Sequence, residues 1–151
     1  MRFIVLLFSL IGSVFLFAAC GPGASTSTSA QPLVPKPTEV QVTMTEFKIE
    51  PSMTTFKVGV PYRFVVSNKG TVAHDFSITP PEMQHGGMTM SSEDMHKDAL
   101  AVIEAADMPP GATKTVDVTF TKPISAGEFE FACHTPGHYE AGMQVPMTVT
   151  P

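Results

Sequence analysis

Cysteine is scarce in this sequence, and its scarcity argues against two common ways of stabilising a small protein. Only Cys20 and Cys133 occur among the 151 residues. Cys20 closes an apolar N-terminal run and is a candidate for lipid attachment, which would leave Cys133 alone and allow no disulfide within the mature domain. A structural zinc site is also disfavoured, because such sites offer several cysteines or histidines at short paired spacings.

Basic residues are also few, and this bears on the kind of partner. Nine lysines and arginines stand against fourteen acidic residues, which gives a formal net charge of −5. No basic patch is present to neutralise phosphates, so we expect no nucleic-acid partner. An acidic surface is steered toward basic partners, although general solubility explains the same balance.

No long stretch repeats apolar residues at the helical period, and the periodicity of two residues dominates instead. Alternation in segments such as Tyr62 to Val66 and Val116 to Phe120 is typical of half-buried strands. Turn residues such as Pro109-Pro110-Gly111 separate these segments. The pattern predicts an all-β, Greek-key β-sandwich of about eight strands, near residues 39–49, 53–58, 61–67, 72–79, 100–105, 113–121, 127–133 and 143–150.

The N-terminus carries the pattern of an export signal. Arg2 precedes an apolar run from Phe3 to Ala19 that ends at Cys20. The segment Phe17 to Cys20 resembles a bacterial lipobox, so we predict a signal peptide at 1–19 and a lipid on Cys20 that anchors the protein to the membrane. Cleavage without lipid and an uncleaved membrane span are the alternatives, the run being at the short limit for a span.

The next segment differs sharply in composition. Residues 20–38 are rich in Ser, Thr, Ala, Pro and Gly, and Lys36 is their one charged residue. Such a segment cannot bury enough apolar surface to fold, so we interpret it as a lipid-anchored linker. The domain that follows, residues 39–151, is long enough for one core, and we expect a monomer.

One short loop contains three side chains that suit a copper ion. Cys133, His138 and Met143 follow one another at intervals of five residues, and Pro136-Gly137 bends the chain between the first two. An electron-transfer copper site uses two imidazoles and one thiolate roughly in a plane, with a weak thioether as axial ligand. His74, upstream, is the candidate for the second imidazole.

These residues resemble the ligand motif of the cupredoxins, the blue copper proteins of the plastocyanin and azurin group, and the likeness is greatest to membrane-anchored members such as auracyanin and sulfocyanin. The resemblance covers roughly residues 39–151. It implies one copper ion held by Cys133, by His74 and His138, and by Met143 as the axial ligand. Asp75 departs from the family, which often has asparagine after the first histidine, where it ties the two ligand loops together.

The resemblance also implies a function, which is one-electron transfer without chemical change in a substrate, so we do not expect an enzyme. Electrons would pass between membrane or periplasmic redox partners, such as a basic cytochrome or a membrane electron-transfer complex. In the family the second histidine lies at an apolar docking patch, to which Pro136 and Tyr139 would contribute here. An oxidase fragment ranks last, because the chain lacks a second domain and further histidine pairs.

Neighbours of the ligands receive simpler interpretations. Adjacent residues of an extended segment point to opposite sides, so we expect His134 to face away from the metal as a surface histidine. Phe129 and Phe131 alternate with acidic residues and are expected to face the core.

A second unusual segment, residues 82–96, is rich in methionine and histidine. Thioethers suit cuprous ion and imidazoles suit cupric ion, so the segment is a possible secondary copper site, with the candidate ligands Met83, His85, Met88, Met90, Met95 and His96. The simpler interpretation is a pliable surface insertion. The segment keeps open an alternative function, an extracytoplasmic copper-binding or copper-delivery protein.

Overall fold

The computed structural model describes residues 35–81 and 96–151. Within these ranges the chain forms nine strands and one short 3-10 helix, Ala105–Asp107. The predicted all-β sandwich is confirmed. The strands are β1 (Thr38–Thr45), β2 (Lys48–Pro51), β3 (Thr55–Lys57), β4 (Pro61–Asn68), β5 (Phe76–Thr79), β6 (Ala101–Ile103), β7 (Thr113–Thr119), β8 (Ile124–Ala132) and β9 (Gln144–Thr150).

The strands form two sheets that pack face to face. One sheet has the order β2-β1-β4-β7 and the other has the order β3-β9-β8-β5-β6. The β1–β4 and β3–β9 pairs are parallel, and the remaining neighbours are antiparallel. Because β5, β8 and β9 are adjacent, the loops at their ends meet at one pole of the sandwich.

The core follows from the alternation seen in the sequence. Every second residue of β4 is buried, from Tyr62 to Asn68, and its neighbours are partly exposed. Phe64 of the first sheet contacts Phe56 and Phe131 of the second, with ring centroids 5.6 and 5.7 Å apart. Burying each of these rings stabilises the fold by roughly 1.5–3 kcal/mol. Phe131 is fully buried as predicted, whereas Phe129 packs at the border of the core.

The observed strand bounds differ from the predicted ones, and two of the differences affect the candidate site. The strand predicted at 39–49 is wrong as a single element, because the chain reverses after Thr45 and returns as β2. Phe47 lies in that turn with a φ of 60°. The strand predicted at 72–79 begins only at Phe76, so His74 lies in the preceding loop rather than early in the strand.

Several predictions fall on residues outside the described ranges. These are the signal peptide, Cys20 and all but the end of the linker, together with Met83, His85, Met88, Met90 and Met95. They stay predictions. No helix within 35–81 and 96–151 is long and apolar enough to cross a membrane.

Candidate metal centre

Two loops meet at one pole of the sandwich and contain the predicted ligands. The first loop joins β4 to β5 and contains His74, and the second joins β8 to β9 and begins at Cys133. Ala132 and Gln144 are paired at the ends of β8 and β9, so the residues just beyond them face each other. The amide of Cys133 donates to the carbonyl oxygen of Met143 over 3.1 Å. The sheet itself therefore brings the two ends of the second loop together.

The second loop is folded by one tight turn and one wider turn. In the first, the amide of His138 donates to the carbonyl oxygen of Thr135 over 2.9 Å, with Pro136 and Gly137 between them. Gly137 has a φ of 83°, as the third position of a type II turn requires. The amide of Met143 then donates to the carbonyl oxygen of His138 over 3.0 Å. These hydrogen bonds fold the loop so that its end, at Met143, lies next to its beginning, at Cys133.

The first loop is held by a buried asparagine that the sequence analysis did not select. The side-chain amide of Asn68 donates to the carbonyl oxygens of Val72 and Met108, each over 2.8 Å, and its Oδ1 accepts from the amide of Gly70. The backbone amide of His74 also donates a hydrogen bond to the carbonyl oxygen of Met108. The sequence did contain a signal for this residue, because Asn68 is a polar residue at the last inward-facing position of β4.

The two loops bring three donor atoms into a compact triangle. His74 Nδ1 lies 3.2 Å from His138 Nδ1, and Cys133 Sγ lies 3.7 and 3.6 Å from these two nitrogens. A circle through the three atoms has a radius of about 2.0 Å. First-row metals bind imidazole nitrogen at about 2.0–2.1 Å and thiolate sulfur at about 2.3 Å. The three atoms are therefore spaced as the ligands of one metal ion would be.

The electrostatics of the triangle also suit a metal. Burial, with the neighbouring His138, lowers the pKa of His74, which favours the neutral imidazole that binds metals. Burial, with the charge of Asp75, raises the pKa of the Cys133 thiol to about 11. Without a metal the sulfur therefore keeps its proton at neutral pH. A bound cation would displace that proton and stabilise the thiolate.

His74 is tightly confined on its far side. Its Nε2 atom is buried and has no hydrogen-bond partner in the described structure. A Cβ atom added at Gly70 would lie only 2.9 Å from that nitrogen and 2.8 Å from Oε1 of Glu46. Glu46 is itself fixed by hydrogen bonds from the amide and hydroxyl of Thr71, which lower its pKa to about 2. The ring is therefore held with Nδ1 toward the other donors.

Met143 completes the set of predicted ligands. Its side chain is fully buried, and its backbone is hydrogen-bonded to both Cys133 and His138. Met143 thus lies directly before β9, beside both ends of the ligand loop, and its axial role stays a prediction.

Asp75 ties the two loops together. Its Oδ1 atom accepts hydrogen bonds from the amide of His134 over 2.8 Å, from Thr135 Oγ1 over 3.2 Å and from Cys133 Sγ over 3.3 Å. Burial alone would raise the pKa of Asp75, but the hydrogen bonds with His134 and Cys133 outweigh it and the pKa is lowered. The aspartate thus makes the link that the resemblance assigns to asparagine, and it does so as an anion.

The prediction that His134 is a surface residue is wrong. Its side chain is buried, stacks on the ring of Tyr139 at 5.4 Å and places Nδ1 3.3 Å from Ser77 Oγ. His134 does point away from Cys133, as the extended backbone predicts. The side to which it points is covered by Asp75 and Tyr139, so facing away from the triangle does not mean facing solvent.

The surroundings of His138 contain an apolar residue that the sequence analysis missed. Phe47 contacts the His138 ring edge-on at 5.2 Å and is 52% exposed. Pro136 is exposed as well, whereas Tyr139 is half-buried against His134. Phe47 rather than Tyr139 therefore forms the exposed apolar edge beside His138. It was missed because no glycine, proline or asparagine marks the turn after β1.

The methionine- and histidine-rich segment contributes one described side chain. His96 lies against Asp75, with its Nε2 atom 3.4 Å from Oδ2, and against Glu104 through its other nitrogen at 3.5 Å. It is not part of the triangle. Asp75, His96 and His134 instead form a second group of potential metal ligands.

Comparisons with known proteins agree with this fold. Residues 10–145 match the family model of the cupredoxin-like domain. The chain is 39% identical over 108 residues to the copper-resistant cuproprotein CopI of Rubrivivax gelatinosus, covering 69% of this chain and 61% of that protein. It is 30% identical over 144 residues to the copper-resistant cuproprotein CopI of Pseudomonas aeruginosa, covering 74% and 76%. The chain therefore spans about three fifths to three quarters of the length of these relatives.

Solved structures with the same fold include blue copper proteins and oxidases. An auracyanin from Roseiflexus castenholzii superposes with a TM-score of 0.55 at 20% identity, over 76% of this chain and 98% of that one. A multicopper oxidase from Campylobacter jejuni superposes with a TM-score of 0.52 at 14% identity, over 80% of this chain and 32% of that one. At these identities the likeness concerns the fold alone. The chain belongs to the cupredoxin-like domain family.

Proposed function

We propose that this protein is a one-electron carrier with a single copper ion held by His74, Cys133, His138 and Met143. The observation that supports this most strongly is the triangle of His74 Nδ1, His138 Nδ1 and Cys133 Sγ, whose size matches metal bond lengths. One thiolate and two imidazoles with a thioether above them are the donors of electron-transfer copper sites. Copper bound there would supply a couple between its cuprous and cupric states.

The burial of the donors favours electron exchange over ion exchange. His74, Cys133 and Met143 are fully buried, and His138 is 8% exposed. Release of an ion would require the loops to open, whereas an electron needs only a short path to the surface. His138 provides that path, with Phe47 and Pro136 as the exposed apolar surface against which a redox partner docks.

The chain's residues would also limit rearrangement between the two oxidation states. The turn at Pro136-Gly137, the Asn68 hydrogen bonds and the Asp75 bridge fix both loops without any metal contact. A ligand set that is already in place costs little to reorganise, which suits rapid electron transfer. We propose further that the protein is exported, tethered by a lipid on Cys20, monomeric, and paired with a cytochrome or a membrane electron-transfer complex.

A second candidate function is copper binding or delivery outside the cytoplasm. The names of the two relatives, both copper-resistant cuproproteins, favour it. In that case the side chains of 82–96 would pass copper onward. A carrier of ions needs an exchangeable site, whereas an electron carrier must keep its copper through every cycle.

Electrochemistry of the full chain, loaded with one equivalent of copper, distinguishes the two functions. The electron-carrier proposal predicts a reversible one-electron couple with copper retained through repeated cycles. It also predicts that the couple and the retention of copper stay unchanged when five residues upstream of His96 are replaced by serine. These residues are Met83, His85, Met88, Met90 and Met95. Loss of copper to a competing chelator on reduction, slowed by those replacements, would contradict the electron carrier and support delivery.

A further inference from the structure

Asp75 presents its two carboxylate oxygens to two different places. Oδ1 faces the ligand loop, where it accepts from Cys133 Sγ and the amide of His134. Oδ2 faces the opposite way, 3.4 Å from Nε2 of His96 and 3.5 Å from Nδ1 of His134. The second oxygen therefore lies in a separate group of polar atoms, which the one-copper function does not use.

Two of the three separations in this group are close to those of the donor triangle. The three atoms, Asp75 Oδ2, His96 Nε2 and His134 Nδ1, all lie within 4.8 Å of one another. The two nitrogen-to-oxygen distances exceed the usual 2.7–3.2 Å of an N–H···O hydrogen bond. Donor atoms that share one first-row metal at about 2.0–2.2 Å are typically about 3.0–3.5 Å apart. The spacing is long for hydrogen bonds and suitable for ligands.

Burial and orientation make the group more than a chance surface cluster. The side chains of Asp75, His96 and His134 are 6%, 9% and 1% exposed. Glu104 Oε1 lies 3.5 Å from the other nitrogen of His96, so a carboxylate stands on the outer side of this imidazole. Ser77 Oγ lies 3.3 Å from His134 Nδ1. A metal ion bound to Nδ1 would displace this contact, and the hydroxyl would keep its other contact, with the carbonyl oxygen of Ala132.

Charge gives a reason for a cation at this place. Oδ1 of Asp75 accepts three hydrogen bonds, whereas Oδ2 has only contacts of 3.4 and 3.5 Å with two imidazole nitrogens. A buried anion requires compensation by a nearby cation or hydrogen bonds. A positive ion at Oδ2 supplies it.

We propose that Asp75, His96 and His134 form a second metal site, adjacent to the donor triangle, which binds a divalent first-row transition ion. Two imidazoles and one carboxylate are a common set for such ions, and the order of affinities along the series places cupric ion highest. The site lies on the far side of Asp75 from Cys133. The site has no thiolate ligand, so a cupric ion bound there would give no intense visible band.

The test is a titration of cupric ion into the full chain already loaded with one equivalent of copper. Binding is followed by copper content after gel filtration and by electron paramagnetic resonance. We expect a second bound ion with a resonance distinct from the first and no added thiolate absorption. Saturation at one copper per chain would overturn the proposal.

Two histidines of the same segment provide a matched comparison. His96→Gln should weaken the second ion at least tenfold and leave the thiolate band of the first unchanged, whereas His85→Gln should bind both ions as the unaltered chain does. His134→Gln should behave like His96→Gln. The proposed site would be contradicted if His96→Gln and His85→Gln bound the second ion equally well, or if only His85→Gln lost it. The thiolate band reports folding, and His96→Gln decides the matter if the His134 variant does not fold.

Discussion

The thiol of Cys133 donates a hydrogen bond to Oδ1 of Asp75 over 3.3 Å, deep in the pole where the two ligand loops meet. Both side chains are buried, and the carboxylate is ionised because hydrogen bonds with His134 and Cys133 lower its pKa despite burial. A fixed negative charge thus lies directly beside the sulfur that we propose as the copper ligand. An asparagine at that place would offer a neutral amide instead.

The first prediction concerns the reduction potential. A negative charge beside the site stabilises the cupric state more than the cuprous state, so Asp75→Asn should raise the potential, by on the order of 100 mV. Voltammetry of the protein loaded with one copper equivalent measures it. Asp117→Asn is the matched control, because Asp117 forms an exposed pair with Arg63 and should leave the potential unchanged. An unchanged or lower potential in Asp75→Asn would refute the electrostatic role.

The second prediction concerns the stability of the metal-free protein at high pH. Burial and the charge of Asp75 raise the pKa of Cys133 from 9.0 to about 11. The folded state therefore holds this proton more tightly than the unfolded state. The contribution of the protonated thiol to the free energy of unfolding is complete below pH 9 and is lost as the pH rises toward 11. The free energy of unfolding should fall by roughly 2–3 kcal/mol across that window.

Comparison with Cys133→Ala isolates this effect from other groups that titrate at high pH. Denaturant unfolding of both metal-free proteins should show the extra loss only in the chain that retains the thiol. Parallel pH profiles for the two proteins would show that the folded state does not hold the proton more tightly.

The third prediction tests the axial role of Met143. Met143→Leu conserves volume in a fully buried position, so we expect a loss of stability below about 1.5 kcal/mol. Copper and the thiolate band should remain, while the potential rises because losing one ligand disfavours cupric ion more than cuprous ion, which accepts fewer ligands. Met147→Leu, a buried methionine within the adjacent strand β9, should leave the potential where it was. Identical potentials in the two variants would remove Met143 from the ligand set.

The fourth prediction concerns the confinement of His74. Gly70→Ala would place a methyl group 2.9 Å from His74 Nε2 and 2.8 Å from Glu46 Oε1, so the ring must move. We expect a cost of about 1–3 kcal/mol and an altered visible spectrum. Lys69→Ala changes an exposed neighbour and should leave both unaffected. A normal spectrum in Gly70→Ala would show that His74 is not held through this contact.

The sequence predicted the parts of the site that depend on local geometry. Pro136 and Gly137 fix a tight turn by their own backbone preferences, so the convergence of Cys133 and His138 could be anticipated from spacing. The inward alternation of β4 similarly predicted the core. Both signals act over a few residues and need no knowledge of the rest of the chain.

The parts that could not be predicted depend on distant residues. His134 is buried because Asp75, about sixty residues away in the other ligand loop, and Tyr139, which the fold of the second loop returns to it, cover its side chain. Phe47 reaches His138 only because the turn after β1 adopts a positive φ without a glycine. Neither contact leaves a pattern in the local sequence.

The most direct test of the central claim is the visible absorption spectrum of the purified, oxidised full chain during titration with copper, beside that of Cys133→Ser. We predict an intense thiolate-to-copper band that saturates at one equivalent of copper and is abolished in Cys133→Ser. A band that persists in Cys133→Ser, or copper bound to the unaltered chain without any such band, would contradict the assignment of Cys133, His74 and His138 as the copper ligands.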